Sequence, residues 1–193
     1  MIRGSKHIQH IQNERDILRR LSTVGNADYK GSRLLKPSAG AFFVGFYESM
    51  QDDCNLYLLL EYLPGGELLK QIKQHLSLSM DDSRFYLAEV LTAIHQLHQK
   101  NIIFRDLKPE NILLDREGHI KLIDFGFSKQ LKNLTKDRTT TNCGTPAYAA
   151  PEVIMGTGYG YKADIWSFGI LICEMIGGFT PFSQKGLSGM DPA

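Results

Sequence analysis

The run Phe104-Arg105-Asp106-Leu107-Lys108-Pro109-Glu110-Asn111 restricts this chain more than any other stretch, because it sets a carboxylate, an ammonium and an amide at fixed steps. Matching Arg105 to Asn111 by accident has a chance of roughly 10⁻⁹ per start position, taking about one in 20 for each residue. Further along stands Asp124-Phe125-Gly126. Between the two, Ile112 to Leu114 and His119 to Ile123 read as strands, with Asp115-Arg116-Glu117-Gly118 as their turn. Such a hairpin returns Asp124 to the neighbourhood of Asn111. Both are hard oxygen ligands of the kind Mg²⁺ takes. Asp-Phe-Gly alone carries little weight, and its spacing from Asn111 is what makes it specific.

The chain has 193 residues, 42% hydrophobic and 22% charged, with a net charge of +1. That is the composition of a soluble globular protein able to bury a sizeable core in one or two domains. The charge balance points to neither nucleic acid nor membrane. The longest apolar stretch, Phe168 to Cys173, is too short to span a bilayer, and no apolar run follows Met1-Ile2-Arg3-Gly4-Ser5-Lys6 as a signal peptide requires. The three cysteines (Cys54, Cys143, Cys173) form no Cys-x-x-Cys pair, which predicts neither a disulfide framework nor a zinc site. A reducing, cytoplasmic setting is expected.

The Arg105 to Asn111 run and the Asp-Phe-Gly beyond its hairpin resemble the catalytic and metal-binding loops of protein kinases, and Lys108 resembles the serine/threonine members. The resemblance implies ATP and Mg²⁺ as cofactors. Asp106 would take the proton of the substrate hydroxyl, Lys108 would accompany the travelling phosphate, and Asn111 and Asp124 would ligate the metal. Phosphoryl transfer has a loose transition state, so the protein chiefly positions groups and neutralises charge.

Residues 5 to 21 carry Ile8, Ile11, Ile17, Leu18 and Leu21 at helical spacing. This stretch is similar to the family's helix C, in which Glu14 matches the acid that pairs with a lysine on the preceding strand. That lysine and the glycine-rich phosphate loop belong ahead of this helix, and no Gly-x-Gly-x-x-Gly occurs upstream of the catalytic loop. Residues 22 to 41 show no period and read as an insertion of about 15 residues, or equally as a retained non-coding segment of the gene model. Phe42 to Tyr47 and Leu56 to Tyr62 read as two strands. Leu60 to Leu68 resembles the hinge between lobes: Leu60 would back the adenine pocket, Glu61 and Leu63 would supply hinge contacts, and Leu113 would also contact the nucleotide. Glu67 would face the ribose or a basic substrate residue, or act as a helix N-terminal acid.

Residues 80 to 99 predict an amphipathic helix capped by Ser79, with Phe85, Ala88, Leu91, Ile94 and Leu97 inward and His95 and His98 structural. Cys143 to Glu152, Phe104 in place of the commoner His, and Gly126-Phe127-Ser128-Lys129 resemble the cyclic-nucleotide-dependent (AGC) branch. Thr141 occupies that branch's phosphorylated position, with Arg105, Lys129 and His10 as the matched phosphate ligands and Thr139 and Thr140 as neighbours that could substitute. Residues 162 to 178 predict a helix apolar nearly all round and therefore buried, with Trp166 in the core and Asp164 bracing the catalytic loop. Glu67, Glu110 and Glu174 match positions that receive basic substrate residues. Asn142 and Ala149 stand where aliphatic side chains usually receive the residue after the phosphoacceptor.

The expected architecture is an α+β, two-lobed protein-kinase fold. It comprises a partial N-lobe (residues 1–62, helix C and two strands, insertion at about 22–41) and a mainly helical C-lobe (residues 63–193) truncated after helix F. The implied activity is transfer of the ATP γ-phosphate to Ser/Thr of protein substrates near basic residues, with an activating kinase as a further partner. The alternative is a catalytically inactive kinase-like binding or scaffold protein. Without the lysine and the lid, the 193-residue chain is expected to transfer phosphate poorly, and an uncovered apolar helix near Trp166 would favour association.

Overall fold

The computed structural model describes residues 5–22, 42–53 and 55–182, so nearly all of the expected insertion, Cys54 and the last eleven residues lie outside the described residues. Helix α1 (Ser5–Ser22) buries Ile17, Leu18 and Leu21, with Ile11 half-buried; the side chain of Ile8 lies outside the described residues. Arg19 and Arg20 in its last turn complement the helix dipole.

Strands β1 (Phe46–Gln51) and β2 (Leu56–Leu60) form an antiparallel hairpin. Both differ from the expected spans, for a definite reason. Residues 42–44 spend their backbone groups elsewhere: Leu122 N–H donates to Phe42 O at 2.8 Å and Val44 N–H to Leu122 O at 3.0 Å. This segment therefore lies parallel to β6 (Ile120–Leu122) rather than in the hairpin. In the second antiparallel sheet β3 (Gly66–Glu67), β5 (Ile112–Leu114) and β6 are ordered β3-β5-β6. Strands β4 (Ile102–Ile103) and β7 (Lys129–Gln130) form a third pair.

Helices α2 (Leu68–His75) and α3 (Met80–Gln99) follow β3. Ser79 caps α3 as expected, its Oγ accepting Asp82 N–H at 3.1 Å. The buried stripe of α3 runs through Val90, Ala93, Ile94, Leu97 and His98, whereas Phe85 and Leu91 are each 45% exposed and Ala88 is exposed too. That stripe meets α5 (Lys162–Gly177) and β6, an orientation that spacing alone does not reveal. Helix α4 (Pro151–Ile154) is a single turn.

Helix α5 buries Ala163, Asp164, Ser167, Ile170, Leu171 and Met175, leaving Ile165, Trp166 and Ile176 outward. Trp166 is thus not a core residue: it is 36% exposed and stacks on Phe182 with ring centroids 6.0 Å apart. An all-round apolar helix carries no periodic signal for which stripe faces inward, which is why the expectation failed. The C-terminus of α5 seats on the α2–α3 linker, where Leu78 N–H donates to Met175 O at 2.7 Å. Gly178 caps it at φ 77°, and a Cβ there would meet Leu76 O at 1.9 Å. Among the described residues no helix is long and apolar enough to cross a membrane.

The β5–β6 turn is tied to α3 by Glu89, whose Oε2 accepts Ile120 N–H at 3.0 Å while Oε1 lies 2.6 Å from His119 Nδ1. The Glu89 hydrogen bond and charge, helped by Asp115 and Glu117, raise the His119 pKa above its ordinary 6.5. A raised folded value means that this stabilisation is fully present below about pH 6.5 and is lost as pH rises through the folded pKa. Urea midpoints should therefore fall across that window in the native chain, and His119→Asn should flatten the fall. Identical pH slopes for the two proteins would rule the linkage out.

Candidate active site

The loop of residues 104–111 is held in place by helix α5. Asp164, 1% exposed, accepts Phe104 N–H at 2.9 Å on Oδ2 and Arg105 N–H at 2.8 Å on Oδ1. His98 Nε2 of α3 lies 2.7 Å from Oδ2, so this histidine is structural and the expected brace is in place. Arg105 is held at φ 73° and Asp124 at φ 59°, left-handed conformations that cost a non-glycine residue roughly 1–3 kcal/mol each and gather at functional sites.

Asp106 is 3% exposed and surrounded by donors. Lys108 Nζ lies 2.9 Å from Oδ2, Asn111 Nδ2 donates to Oδ2 and to the Asp106 carbonyl at 2.9 Å each, and Thr145 Oγ1 donates to Oδ1 at 2.9 Å. Lys108 Nζ also donates to Thr145 Oγ1 at 2.8 Å. The structure thus unites Asp106, Lys108 and Asn111, and adds Thr145, which the sequence reading placed in a motif without a role. The signal for it was the adjoining Gly144: at φ 92°, with a Cβ position 2.5 Å from Arg105 O, only glycine lets this segment press against the loop of residues 104–111.

The hairpin returns as expected, with Ile123 N–H donating to Asn111 O at 3.0 Å, so Asp124 follows directly beside the loop. Asn111 has committed its NH₂ to Asp106, which leaves Oδ1 as its remaining metal-ligating atom. Phe125 packs edge-on against Phe104 and Phe43, at centroid distances of 5.4 and 6.1 Å. Helix α1 lies along this segment. Glu14 is half-buried and accepts Phe125 N–H, while burial first and the Asp124 charge second raise its pKa. Asn13, which the sequence reading passed over, donates from Nδ2 to Ser128 O at 2.6 Å, with Gly126 O and Phe125 O at 3.3 and 3.4 Å.

The three residues matched to a phosphate on Thr141 do not converge on it. Arg105 Nε donates to Phe127 O at 2.5 Å and its Nη1 to Tyr159 Oη at 3.2 Å; Lys129 Nζ donates to Thr139 Oγ1 at 3.0 Å; His10 packs edge-on against Phe127. Thr141 is exposed, whereas Thr139 is 3% exposed and is thereby a poor substitute for it. Tyr159 organises the stretch, its hydroxyl donating to Thr141 O at 2.6 Å while its backbone pairs with Thr139. Burial, then the Cys143 contact, push its phenol up to about 12 despite Arg105.

At the expected hinge Leu63 is buried and Leu60 partly so. The Glu61 carboxylate turns away to Gly45 N–H at 2.9 Å and Lys121 at 3.4 Å, and its own N–H donates to Gly45 O at 2.8 Å, which leaves its backbone carbonyl for any hinge contact. Glu67 is the N-cap residue of α2 without a side-chain cap bond. With Leu113, Gly66, Lys70 and Lys73 it lines an open pocket of about 670 Å³. Glu110 and Glu174 come together around Tyr148, whose hydroxyl donates to Glu174 Oε2. Burial first, with Glu110 adding, raises the Glu174 pKa against the opposing pulls of Tyr148 and Lys73. Glu110 Oε2 is buried with no hydrogen-bond partner among the described residues. Asn142 is exposed, and Ala149 packs partly buried against the Ile103–Val153 cluster.

Asp164→Ala would strip three donors of their acceptor at about 1–3 kcal/mol each, so a loss on the order of 3 kcal/mol or more is expected in urea unfolding. A loss below about 1 kcal/mol would show that the brace is dispensable.

The model of the protein kinase domain matches residues 29–191. Over 177 residues (92% of the chain) this sequence is 46% identical to the human "cAMP-dependent protein kinase catalytic subunit PRKX" and 42% identical to the cAMP-dependent protein kinase catalytic subunit of Dictyostelium discoideum. Over 180 residues (93% of the chain) it is 41% identical to the cAMP-dependent protein kinase catalytic subunit 3 of Drosophila melanogaster. It spans 44%, 24% and 27% of the lengths of these three. With the Asp106 constellation and the Asp124 hairpin arranged as described, the chain belongs to the protein kinase domain family, and its relatives lie in the cAMP-dependent, AGC branch.

Proposed function

We propose that this chain is the core of a serine/threonine protein kinase that transfers the γ-phosphate of ATP to proteins bearing basic residues upstream of the target. The observation that carries the reading is the setting of Asp106. Its Oδ1 accepts a hydroxyl from Thr145, the bond that a substrate Ser or Thr would make, while Lys108 and Asn111 hold Oδ2. Asp106 orients the incoming hydroxyl and takes its proton as the oxygen attacks. Lys108 neutralises charge as it moves toward the acceptor oxygen. Mg²⁺·ATP, when bound, supplies the phosphoryl group and screens its charge; Asn111 Oδ1 and Asp124 would hold the cation. Among the described residues no group of three or more His, Cys, Asp or Glu could hold a metal alone, so phosphate oxygens and water would complete the shell, the usual habit of Mg²⁺.

Substrate choice follows from Glu110 and Glu174. Two carboxylates drawn into one half-buried site, one with a partnerless oxygen, form a receptor for a guanidinium, whose binding would supply the missing donors. Glu67 offers a third acid for a residue one step further from the target. The following residue meets Asn142 and Ala149, which provide no large aliphatic wall. A phosphate on Thr141 would draw Arg105 from Tyr159 and Lys129 from Thr139, placing control of the loop in an activating kinase.

Phosphate transfer from Mg²⁺·ATP to an Arg-Arg-x-Ser peptide tests the reading. Asp106→Asn should lower the turnover of the native chain, itself expected to be small without the lysine and the lid, by roughly 10²–10⁴-fold, and measurable turnover that is equal in both proteins would refute the reading, leaving the binding-protein alternative. Glu110→Gln with Glu174→Gln should raise the KM of that peptide by about tenfold or more while sparing an arginine-free peptide. Because the Glu174 pKa is raised, the native KM for the arginine peptide should climb as pH falls toward that value. A KM indifferent to pH and to both substitutions would remove the basic preference.

A further inference from the structure

Lys121 stands on β6 directly across from Leu113 of β5, which is paired in turn with Glu67 of β3. Directly paired residues of antiparallel strands share a face. Glu67, Leu113 and Lys121 therefore form one row on the sheet face opposite the buried Ile112 and Leu114. The Lys121 side chain is only 12% exposed and its Nζ lies 3.4 Å from Glu61 Oε2. That same oxygen accepts Gly45 N–H at 2.9 Å, and Glu61 N–H donates to Gly45 O at 2.8 Å. Residues 42–44 are meanwhile bonded along β6. One carboxylate thus joins the end of β2, the 42–45 segment and the sheet that carries Leu113.

We propose that Lys121 is a positioning residue for the adenine end of the nucleotide site, an assignment that rests on the kinase reading above. The Glu61 side chain is 21% exposed, and such a half-sequestered carboxylate keeps its place only while a cation and a donor satisfy it. Without Lys121 its better alternative is to swing into water and release Gly45. Residues 61–63 would then lose their anchor to β6, and their backbone groups would no longer be held at a fixed height above Leu113. The Lys121 ammonium is engaged by Glu61 at the end of β2, not by Asn111 or Asp124, so the defect should fall on the base and ribose end.

The test is titration of the purified chain with adenosine and with Mg²⁺·ATP. Lys121→Met should weaken both by the same factor, about fivefold, and Lys121→Arg should stay within about twofold of the native chain. The Lys121→Met, Glu61→Gln double variant should bind no more weakly than Lys121→Met alone, since both remove one interaction. It also stands in if the single variant does not fold, because no unpaired charge remains in it; there, affinity equal to that of the native chain overturns the assignment. So do an unchanged adenosine affinity in Lys121→Met and a loss confined to Mg²⁺·ATP. A native chain that binds neither adenosine nor Mg²⁺·ATP overturns the kinase reading and this assignment with it, whereas native binding with an indifferent Lys121 overturns the assignment alone.

Discussion

Both oxygens of one sequestered carboxylate, Asp164, are spent on the backbone of the loop of residues 104–111. Desolvating an ionised group at 1% exposure costs several kcal/mol unless donors replace the lost water. Here two backbone N–H groups and the His98 ring do so, and the cost of moving any of them is what makes the arrangement stiff. Arg105 keeps its left-handed backbone because its own N–H is one of those donors, and Asp106 is the next residue. The direction in which Asp106 points is therefore decided by a helix 59 residues further along the chain.

Charge in the site is distributed by role. Where a carboxylate must hold a defined position it has a resident cation or donors, as Asp106 has Lys108, Thr145 and Asn111, and Glu61 has Lys121. Glu110 is the contrasting case, with one buried oxygen left without a hydrogen-bond partner among the described residues. Burial first and the Glu110 charge with it raise the pKa of Glu174 even with Tyr148 and Lys73 beside it. The same physics gives a fully satisfied group in one case and an under-satisfied one in the other.

The legible part of this protein was the part written in local pattern. The β5–β6 hairpin, the Ser79 cap and the span of α3 follow from turn residues and spacing, and the Asp164 brace and the Asp106 cluster from the motif that carries them. What failed depended on which neighbours pack against an element. Phe85 and Leu91 fit the period of α3 but not its buried stripe, and Trp166 sits on a helix with no polar face to orient it. Residues 42–44 looked like the start of a hairpin strand because a strand's composition is the same whichever partner takes its hydrogen bonds. Asn13, Lys121 and Tyr159 escaped notice since an isolated polar residue signals nothing until the chain brings its partners to it.

Gly178 shows how far from the chemistry such dependence extends. The contact it permits lies on the opposite end of α5 from Asp164, where the helix terminus rests on the Leu76 carbonyl. Any side chain there would have to push the helix off its seat, and α5 as a rigid rod would carry Asp164 with it. A side chain at this position is therefore strained twice, by its left-handed backbone and by the Leu76 carbonyl. A change at Gly178 would then be felt at the backbone of Phe104 and Arg105, although it lies at the far end of the helix from Asp164.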